Sequence, residues 1–374
     1  MRIVADEKIP FLKGVFEPFA DMDYVPGEKI SNDIVKQADA ILTRTRTQCN
    51  EELLKGSRVR FIGTATIGYD HIDTKYCEDH GIVWKNAPGC NAGSVSQYVA
   101  SALEYLARNF NFSLQNRVLG VVGVGNVGNK VVQIAEMLGM QVYLCDPPRV
   151  RHEGACGFIT MDGILRECDI ISFHVPLNHE GQDKTWHMID DNLIRRMKPG
   201  TFIINTSRGE VADNQALKNA LEKKKLAGVV LDVWENEPSI DPDLLSKCAI
   251  GTPHIAGYST DGKAKGTSMI VRELSRFFNL ALEGWEPLEI EEPKNRLITV
   301  ECLDRDDDVI LSEAFRATYP IEDDDQRLRQ ALSDFEKQRG NYPVRREFKA
   351  YSLELLNGWD KIKRNCRKLG FKVI

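Results

Sequence analysis

The feature that most constrains this chain is a short apolar run ending in regularly spaced glycines. Val118 to Val122 leads directly into Gly123-Val124-Gly125-Asn126-Val127-Gly128, and a helical pattern continues from Asn126 to Leu138. In such a string the first glycine permits a tight turn out of a strand. The second lets a pyrophosphate approach the backbone, and the third lets helix and strand pack closely. The unpaired N–H groups at the helix start, near Asn126 and Val127, then face the phosphates. Alone, G-x-G-x-x-G is a weak signal, because a glycine-rich turn in a nucleotide-free α/β domain reads the same way. Here a second strand, Gln141–Cys145, follows and runs into Asp146, 18 residues past Gly128. A carboxylate at that place bonds both hydroxyls of a ribose and repels a 2′-phosphate, which predicts NAD over NADP.

The same alternation continues on both sides. Strands are predicted at Ile170–His174, Thr201–Asn205 and Gly228–Asp232. Helices are predicted at Ser94–Asn109, Met161–Arg166, Asp190–Arg196 and Asn214–Lys224. Each strand is a near-continuous apolar run, as in a parallel sheet covered on both faces. The first 90 residues show a weaker version, with strands at Met1–Asp6, Ala38–Thr43 and Val59–Thr64 and a helix at Asn50–Lys55 capped by Asn50. A helix is predicted from about 260 to 283, followed by a Pro- and Glu-rich linker from Glu286 to Pro293. The fold class is α/β, and 374 residues are too many for one core, so two or three domains are expected. The closing segment opens acidic, with ten Asp/Glu against two Arg over 301–325, and closes basic, with nine Lys/Arg against three Asp/Glu over 341–374. That asymmetry fits pairing within or between subunits, or simply two solvated faces.

Composition narrows the partners. A net charge of −6 provides no basic field, which excludes nucleic acid and an anionic membrane surface as expected partners. No apolar stretch approaches the roughly 18 residues of a membrane span, and Met1-Arg2-Ile3-Val4-Ala5-Asp6 reads as a strand, not a signal peptide. The nine cysteines form no C-x-x-C pair, and some sit in apolar runs, as Cys145 does. Free thiols in a reducing cytoplasm are the expectation. His71, His80, His152, His179 and His187 lack metal-ligand spacing, so no metal site is expected.

Three further strand ends carry polar residues. Thr206-Ser207-Arg208-Gly209 follows Asn205, Asp232-Val233-Trp234-Glu235-Asn236-Glu237-Pro238 follows Leu231, and Thr252-Pro253-His254-Ile255-Ala256-Gly257 follows Gly251. Carboxyl ends of strands in an open parallel sheet face one crevice, so an Arg, a Glu and a His are predicted to meet beside the nicotinamide. Oxidising a 2-hydroxy acid removes a hydride from C2 and a proton from its hydroxyl. His254 suits the proton transfer, Glu237 would orient and charge its ring, and Arg208 would hold the carboxylate and the C2 oxygen in a rigid fork. Singly, each has a plainer reading: a surface arginine, a core histidine, a capping glutamate.

These strings resemble the D-isomer-specific 2-hydroxyacid dehydrogenase family, as does Asn86-Ala87-Pro88-Gly89-Cys90-Asn91-Ala92. The resemblance spans about residues 1–285. It implies a Rossmann-type NAD domain (92–257) inserted in a flavodoxin-like substrate domain (1–91 and 258–285). Gly63-Thr64-Ala65-Thr66, Thr43-Arg44-Thr45-Arg46-Thr47 and Tyr319-Pro320-Ile321-Glu322 are similar to a branch that oxidises a 4-phosphorylated hydroxy acid for vitamin B6 biosynthesis. That branch implies a small α+β dimerisation domain over 286–374 and a homodimer. By position, Thr45, Thr66 and Tyr258 would touch substrate, and Gly123, Gly125, Asn126, Val127, Gly128, Asp146, Val175, Thr206, Ser207, Asp232 and Gly257 would touch NAD. Thr45 replaces a common serine and keeps its hydroxyl. Val175 stands where a threonine can occur, which leaves only a backbone contact. Ile67 and Tyr69 are unusual in the substrate loop. Arg44 and Arg46 flank Thr45 just past a strand end, as phosphate ligands or as ordinary exposed arginines. Whether Arg345 or Arg346 reaches a partner's active site stays open. So do two other readings: a phosphoglycerate or general D-2-hydroxyacid dehydrogenase, and an NAD-sensing binding protein or corepressor.

Overall fold

The computed structural model describes all 374 residues, in two compact units. The first joins Met1–Asn91 to Ser259–Glu291. Its sheet holds β1 (Arg2–Asp6), β2 (Asp21–Val25), β3 (Ala40–Thr43), β4 (Phe61–Thr64) and β5 (Val83–Lys85), all parallel, in the order β2-β1-β3-β4-β5. This is the flavodoxin-like order, whose switch point lies between β1 and β3. Asn50 caps its short helix as expected, accepting from Leu53 N at 3.2 Å. The strands β2 and β5 escape the sequence pattern because half-exposed edge strands carry polar residues, as in Asp21-Met22-Asp23. The helix Thr260–Phe278 lays Ile270, Val271 and Leu274 on this sheet beside Ile3, Leu42 and Phe61.

The second unit joins Ala92–Tyr258 to Glu292–Ile374. Its larger sheet holds β6 (Val118–Val122), β7 (Gln141–Cys145), β8 (Ile170–Phe173), β9 (Thr201–Asn205), β10 (Leu226–Leu231) and β11 (Ile250–Gly251). All are parallel, in the order β11-β10-β9-β8-β6-β7. The chain runs outward from β6 to β7 and then returns to the other side of β6 with β8. That reversal opens a crevice at the carboxyl ends of β6 and β8, where such sheets bind ligands. Beyond β7 a single parallel bridge, Leu144 to Phe158, stands in place of another strand.

The last strands, β12 (Leu297–Glu301), β13 (Ser352–Leu356) and β14 (Lys372–Val373), form a separate three-stranded sheet. All three are parallel and joined through helices, so this module is α/β and not the expected α+β. Parallel neighbours need crossovers, and the helices between them supply these. The module shares one apolar core with the larger sheet: Ile310, Phe315 and Phe348 cluster with Val99, Leu103 and Ile250. The helix Ala92–Asn109 makes this possible. Its residues Ser94, Gln97, Ser101 and Glu104 recur at helical spacing and would read as a solvated stripe, yet all are buried. Gln97 donates to Arg346 O at 2.9 Å, Ser101 to Tyr319 O at 2.9 Å and Ser94 to Glu347 at 3.1 Å. The acidic run is likewise divided. Asp325 accepts from Gly251 N at 2.7 Å at the end of β11, Asp324 accepts from the Tyr319 hydroxyl at 2.7 Å, and Lys361 reaches back to Asp307 at 2.7 Å.

Candidate active site

At the end of β6 the glycines divide into two kinds. Gly123 has φ +86°, and an added Cβ would sit 2.5 Å from His174 O, so the loop is pressed against the end of β8. At Gly128 a Cβ would sit 2.1 Å from Gly123 O, which only a bare backbone allows. At Gly125 a Cβ would meet nothing within 4 Å. The protein itself does not require glycine there, and the open space leaves room for a ligand to approach the backbone. The helix Asn126–Met137 starts immediately beyond, and its first intrahelical bond is Asn129 N to Gly125 O at 3.0 Å. The N–H groups of Asn126, Val127 and Gly128 are thus left for an anion. Asp146 accepts from Val124 N at 2.8 Å and from Arg149 N at 3.1 Å, and Arg149 returns a bond to Val124 O at 2.8 Å. This clamp fixes Asp146 beside the loop, as a ribose ligand must be. Val175 lies 3.0 Å from the Cβ position of Gly123, against the same turn. Loop, helix start and acidic residue together suit a dinucleotide.

The second cluster is built around Asp232, just past β10. Asp232 is buried, and its carboxylate accepts from the Thr252 hydroxyl at 2.7 Å, Ile255 N at 2.7 Å and Ala256 N at 2.8 Å. Burial pushes its carboxyl above the ordinary range, against the lowering effect of His254 and of these donors. Through these bonds Asp232 fixes the course of the loop. The loop turns sharply enough to hold His254 at φ +54°, with its N–H bonded to Asp232 O at 2.7 Å. There His254 Nδ1 lies 2.8 Å from Glu237 Oε2. The other oxygen of Glu237 accepts from Trp234 N at 2.9 Å. Burial works to raise the Glu237 carboxyl, but the bond and charge of His254 and the Trp234 N–H outweigh it and hold the group below the usual carboxylate range.

Arg208 sits in a turn organised by Asn205 at the end of β9. Asn205 accepts from Ser207 N at 3.0 Å and Ser207 Oγ at 2.7 Å, and donates to Arg208 O at 2.9 Å. Ser207 is therefore turned inward, whereas Arg208 and Thr206 keep partial exposure. A Cβ on Gly209 would fall 2.0 Å from the Trp234 backbone, so the Arg208 turn packs directly on the segment leading to Glu237. Thr206 Oγ1 and Ser172 Oγ lie 3.3 and 2.9 Å from the two ring nitrogens of His174. Desolvation pushes His174 down to about 3, which makes it a neutral spacer between β8 and β9.

The predicted substrate residues fall at two places. In the first unit, Arg44, Thr45 and Arg46 follow β3 at the switch point; Thr45 and Arg46 are exposed, and Arg44 donates to Lys8 O at 3.3 Å. Thr66 Oγ1 lies 2.8 Å from Thr64 Oγ1 and donates to Gly68 O at 2.9 Å. In the second unit, Gly257 and Tyr258 end the His254 loop, half-buried, and Tyr258 stands edge-on to Tyr342 at 6.0 Å. Arg345 and Arg346 do not project from the surface towards a partner: both are buried. Arg345 donates to Ala256 O and stacks 4.4 Å from the Tyr319 ring centroid, and Arg346 lies 3.6 Å from Glu292.

Residues 96–256 match the family described as D-isomer specific 2-hydroxyacid dehydrogenase, NAD binding domain. Residues 293–370 match a domain of unknown function, DUF3410. The chain is 47% identical over 355 residues to an erythronate-4-phosphate dehydrogenase of Bacteroides thetaiotaomicron, covering 94% of this chain and 99% of the relative. It is 40% identical over 386 residues to one of Pseudomonas putida, covering the whole of both. The chain belongs to the erythronate-4-phosphate dehydrogenase family. Among solved structures, D-lactate dehydrogenase of Aquifex aeolicus, complexed with NAD and lactic acid, superposes with a TM-score of 0.61 at 28% identity, over 75% of this chain and 97% of that one. An NAD-bound 3-phosphoglycerate dehydrogenase of Entamoeba histolytica shares the fold, with a TM-score of 0.64 at 24% identity over 78% and 99% of the two chains. NAD is the cofactor of this class, and no helix of the chain is long and apolar enough to cross a membrane.

Against this family background, the supporting residues are those that sequence reading passes over. Trp234 donates its indole N–H to Thr252 O at 2.9 Å, and Tyr98 OH reaches Thr252 Oγ1 at 2.7 Å. Tyr98 is only an apolar position of a helix by its spacing, and no local pattern announces its bond 154 residues away. Arg339 carries no signal in its own segment, and only the tertiary fold brings it, like Arg345, to the His254 loop.

Proposed function

We infer that the chain oxidises 4-phospho-D-erythronate to (R)-3-hydroxy-2-oxo-4-phosphooxybutanoate with NAD as acceptor, a step of pyridoxal 5′-phosphate (vitamin B6) biosynthesis. The observation that carries the reading is the match along nearly the whole chain, C-terminal module included, to relatives of that name. The 2.8 Å pair of His254 and Glu237 supports the chemistry. NAD, when bound, supplies the hydride acceptor. Glu237 takes the Nδ1 proton side of His254, which leaves Nε2 to accept the proton of the C2 hydroxyl. The ionised Glu237 then stabilises the imidazolium. Arg208 holds the C1 carboxylate and polarises the C2 oxygen. Asp146 selects NAD through the ribose, and Arg44, Thr45, Arg46, Thr66 and Tyr258 contact substrate.

A substrate domain (1–91, 258–285), an NAD domain (92–257) and a dimerisation domain (286–374) belong to the same reading, as do a homodimer and a cytoplasmic location. Exposed apolar side chains on the last segment, Leu303 at 63% and Ile374 at 68%, support docking there. NADH absorbance with 4-phosphoerythronate, 3-phosphoglycerate and unphosphorylated 2-hydroxy acids tests the assignment. Turnover confined to the unphosphorylated acids would overturn it.

A further inference from the structure

Arg339 lies on the short helix Phe335–Gly340 in the C-terminal segment, outside every motif of the dehydrogenase core. Its guanidinium stands 5.7 Å from the Tyr258 ring centroid and 6.0 Å from that of Phe335. The side chain is only 15% exposed. Its charge makes a small contribution to holding the Glu237 carboxyl below the usual range. Arg339 is thus a desolvated cation beside the partner of His254 and against Tyr258.

The donors of this cation are largely unspent. Nη1 donates to Glu336 Oε1 at 3.0 Å, and the buried Nε has no partner. A guanidinium offers five N–H donors in a fixed plane, and leaving them unmade in a buried site is costly. Arg329, on the neighbouring helix Ile321–Gln330, shows what a purely structural arginine does. Its three nitrogens bond Asp325 at 2.8 Å, Leu245 O at 2.7 Å and Cys248 O at 3.0 Å. Arg339 is the opposite case: largely but not wholly covered, charged, and bonded at one nitrogen.

We propose that Arg339 is a substrate-binding residue that takes the phosphate of the hydroxy acid. The proposal rests on the function inferred above and deepens it, since that substrate carries two anionic groups and Arg208 is assigned to the carboxylate. A phosphate brings acceptor oxygens that match the open donors of a guanidinium fork. It also meets a cation already held in place by aromatic faces, so little ordering entropy is lost on binding.

The test compares wild type, R339M and R339K with 4-phosphoerythronate and unphosphorylated erythronate, each variant first shown to bind NADH and to melt cooperatively. In R339M, kcat/KM for the phosphorylated acid is expected to fall roughly 10- to 100-fold, as loss of a charge-assisted bond predicts. The fall should appear mainly in KM and be larger for the phosphorylated acid than for erythronate, with R339K recovering part of the loss. Equal losses on both acids, or a shifted kcat–pH profile with KM unchanged, would overturn the proposal and leave Arg339 acting only on Glu237. A wild-type enzyme with no preference for the phosphorylated acid would overturn both the proposal and the function it rests on.

Discussion

The indole N–H of Trp234 bonds the carbonyl of Thr252 at 2.9 Å, and this contact joins those of Asp232 in tying the loop carrying Glu237 to the loop carrying His254. The backbone N–H of the same tryptophan holds Glu237 at 2.9 Å. Trp234 is 1% exposed, so its donor has no water to fall back on. Replacing it by phenylalanine keeps most of the bulk and removes the bond, leaving Thr252 O unsatisfied. We expect a loss of about 1–3 kcal/mol in stability, measured by urea denaturation. A fall in kcat larger than any rise in KM should accompany it, because the loop that aims His254 loosens while the cofactor loop is untouched.

The His254–Glu237 pair itself predicts two separable effects. His254→Ala removes the proton acceptor, and kcat should fall roughly 10²- to 10⁴-fold, with NADH binding by fluorescence retained. Glu237→Gln keeps a partner for Nδ1 but removes the charge that favours the imidazolium. Its acid unfolding should change as well. The folded carboxyl is held below its ordinary value of 4.5, so the unfolded state binds the proton first. The stabilisation is therefore full above that value and is lost as pH falls through the lower, folded one. Melting temperatures of E237Q should decline less steeply than wild type below pH 4.5. Parallel curves would remove Glu237 from this account.

Two glycines of the cofactor loop, Gly125 and Gly128, separate folding from binding. Gly125→Ala places a methyl in open space, so stability should change by no more than about 0.5 kcal/mol while NAD binding weakens at least tenfold. Gly128→Ala forces a methyl to 2.1 Å from Gly123 O, and the helix must move away from the strand. It should lose stability by calorimetry as well as NAD binding by titration. Similar melting temperatures for the two variants would count against the reading of Gly125 as a ligand position.

How much of this is legible in the sequence follows from how locally each feature is determined. The strands Val118–Val122, Gln141–Cys145 and Thr201–Asn205 appear at their predicted bounds, because buried parallel strands are apolar throughout and end in turn residues. The dyad was readable because Glu237 and His254 each follow a strand of the same sheet. The bonds that Asp232 makes to the loop following β11 are not legible in its motif, because a motif does not reveal which way a carboxylate points. The C-terminal module was the least legible. Its buried partners, such as Gln97 with Arg346, lie 249 residues apart, and a polar stripe on a helix looks the same whether water or protein covers it.

Asp146 joins two duties that its variants can separate. It caps the helix Pro147–Glu153 and clamps the glycine loop through Val124 N. Asp146→Ala should lose about 1 kcal/mol of stability as a cap and also raise the relative use of NADP. Asp146→Asn keeps an acceptor for Arg149 N and removes the charge that repels a 2′-phosphate. We expect it to melt near wild type and yet show a higher NADP-to-NAD ratio of kcat/KM. An unchanged ratio in both variants would take cofactor selection away from Asp146.

His174 should govern part of the pH dependence of stability without taking part in proton transfer. Its ring is desolvated between Ser172 and Thr206, and desolvation holds it down at about 3 against an ordinary 6.5. The unfolded chain therefore binds a proton here that the folded protein refuses over that whole interval. Stability is unaffected above about pH 6.5 and is progressively lost as pH falls from there towards 3. His174→Gln removes the titrating group while keeping a donor and an acceptor for its two hydroxyl neighbours. Its melting temperature should be lower than wild type at pH 8 because the packing is imperfect. The gap should narrow steadily as the buffer is taken from pH 6.5 to pH 4. A constant gap across that range would mean that the folded ring titrates as it does in water, and that burial at the β8–β9 junction does not keep it neutral.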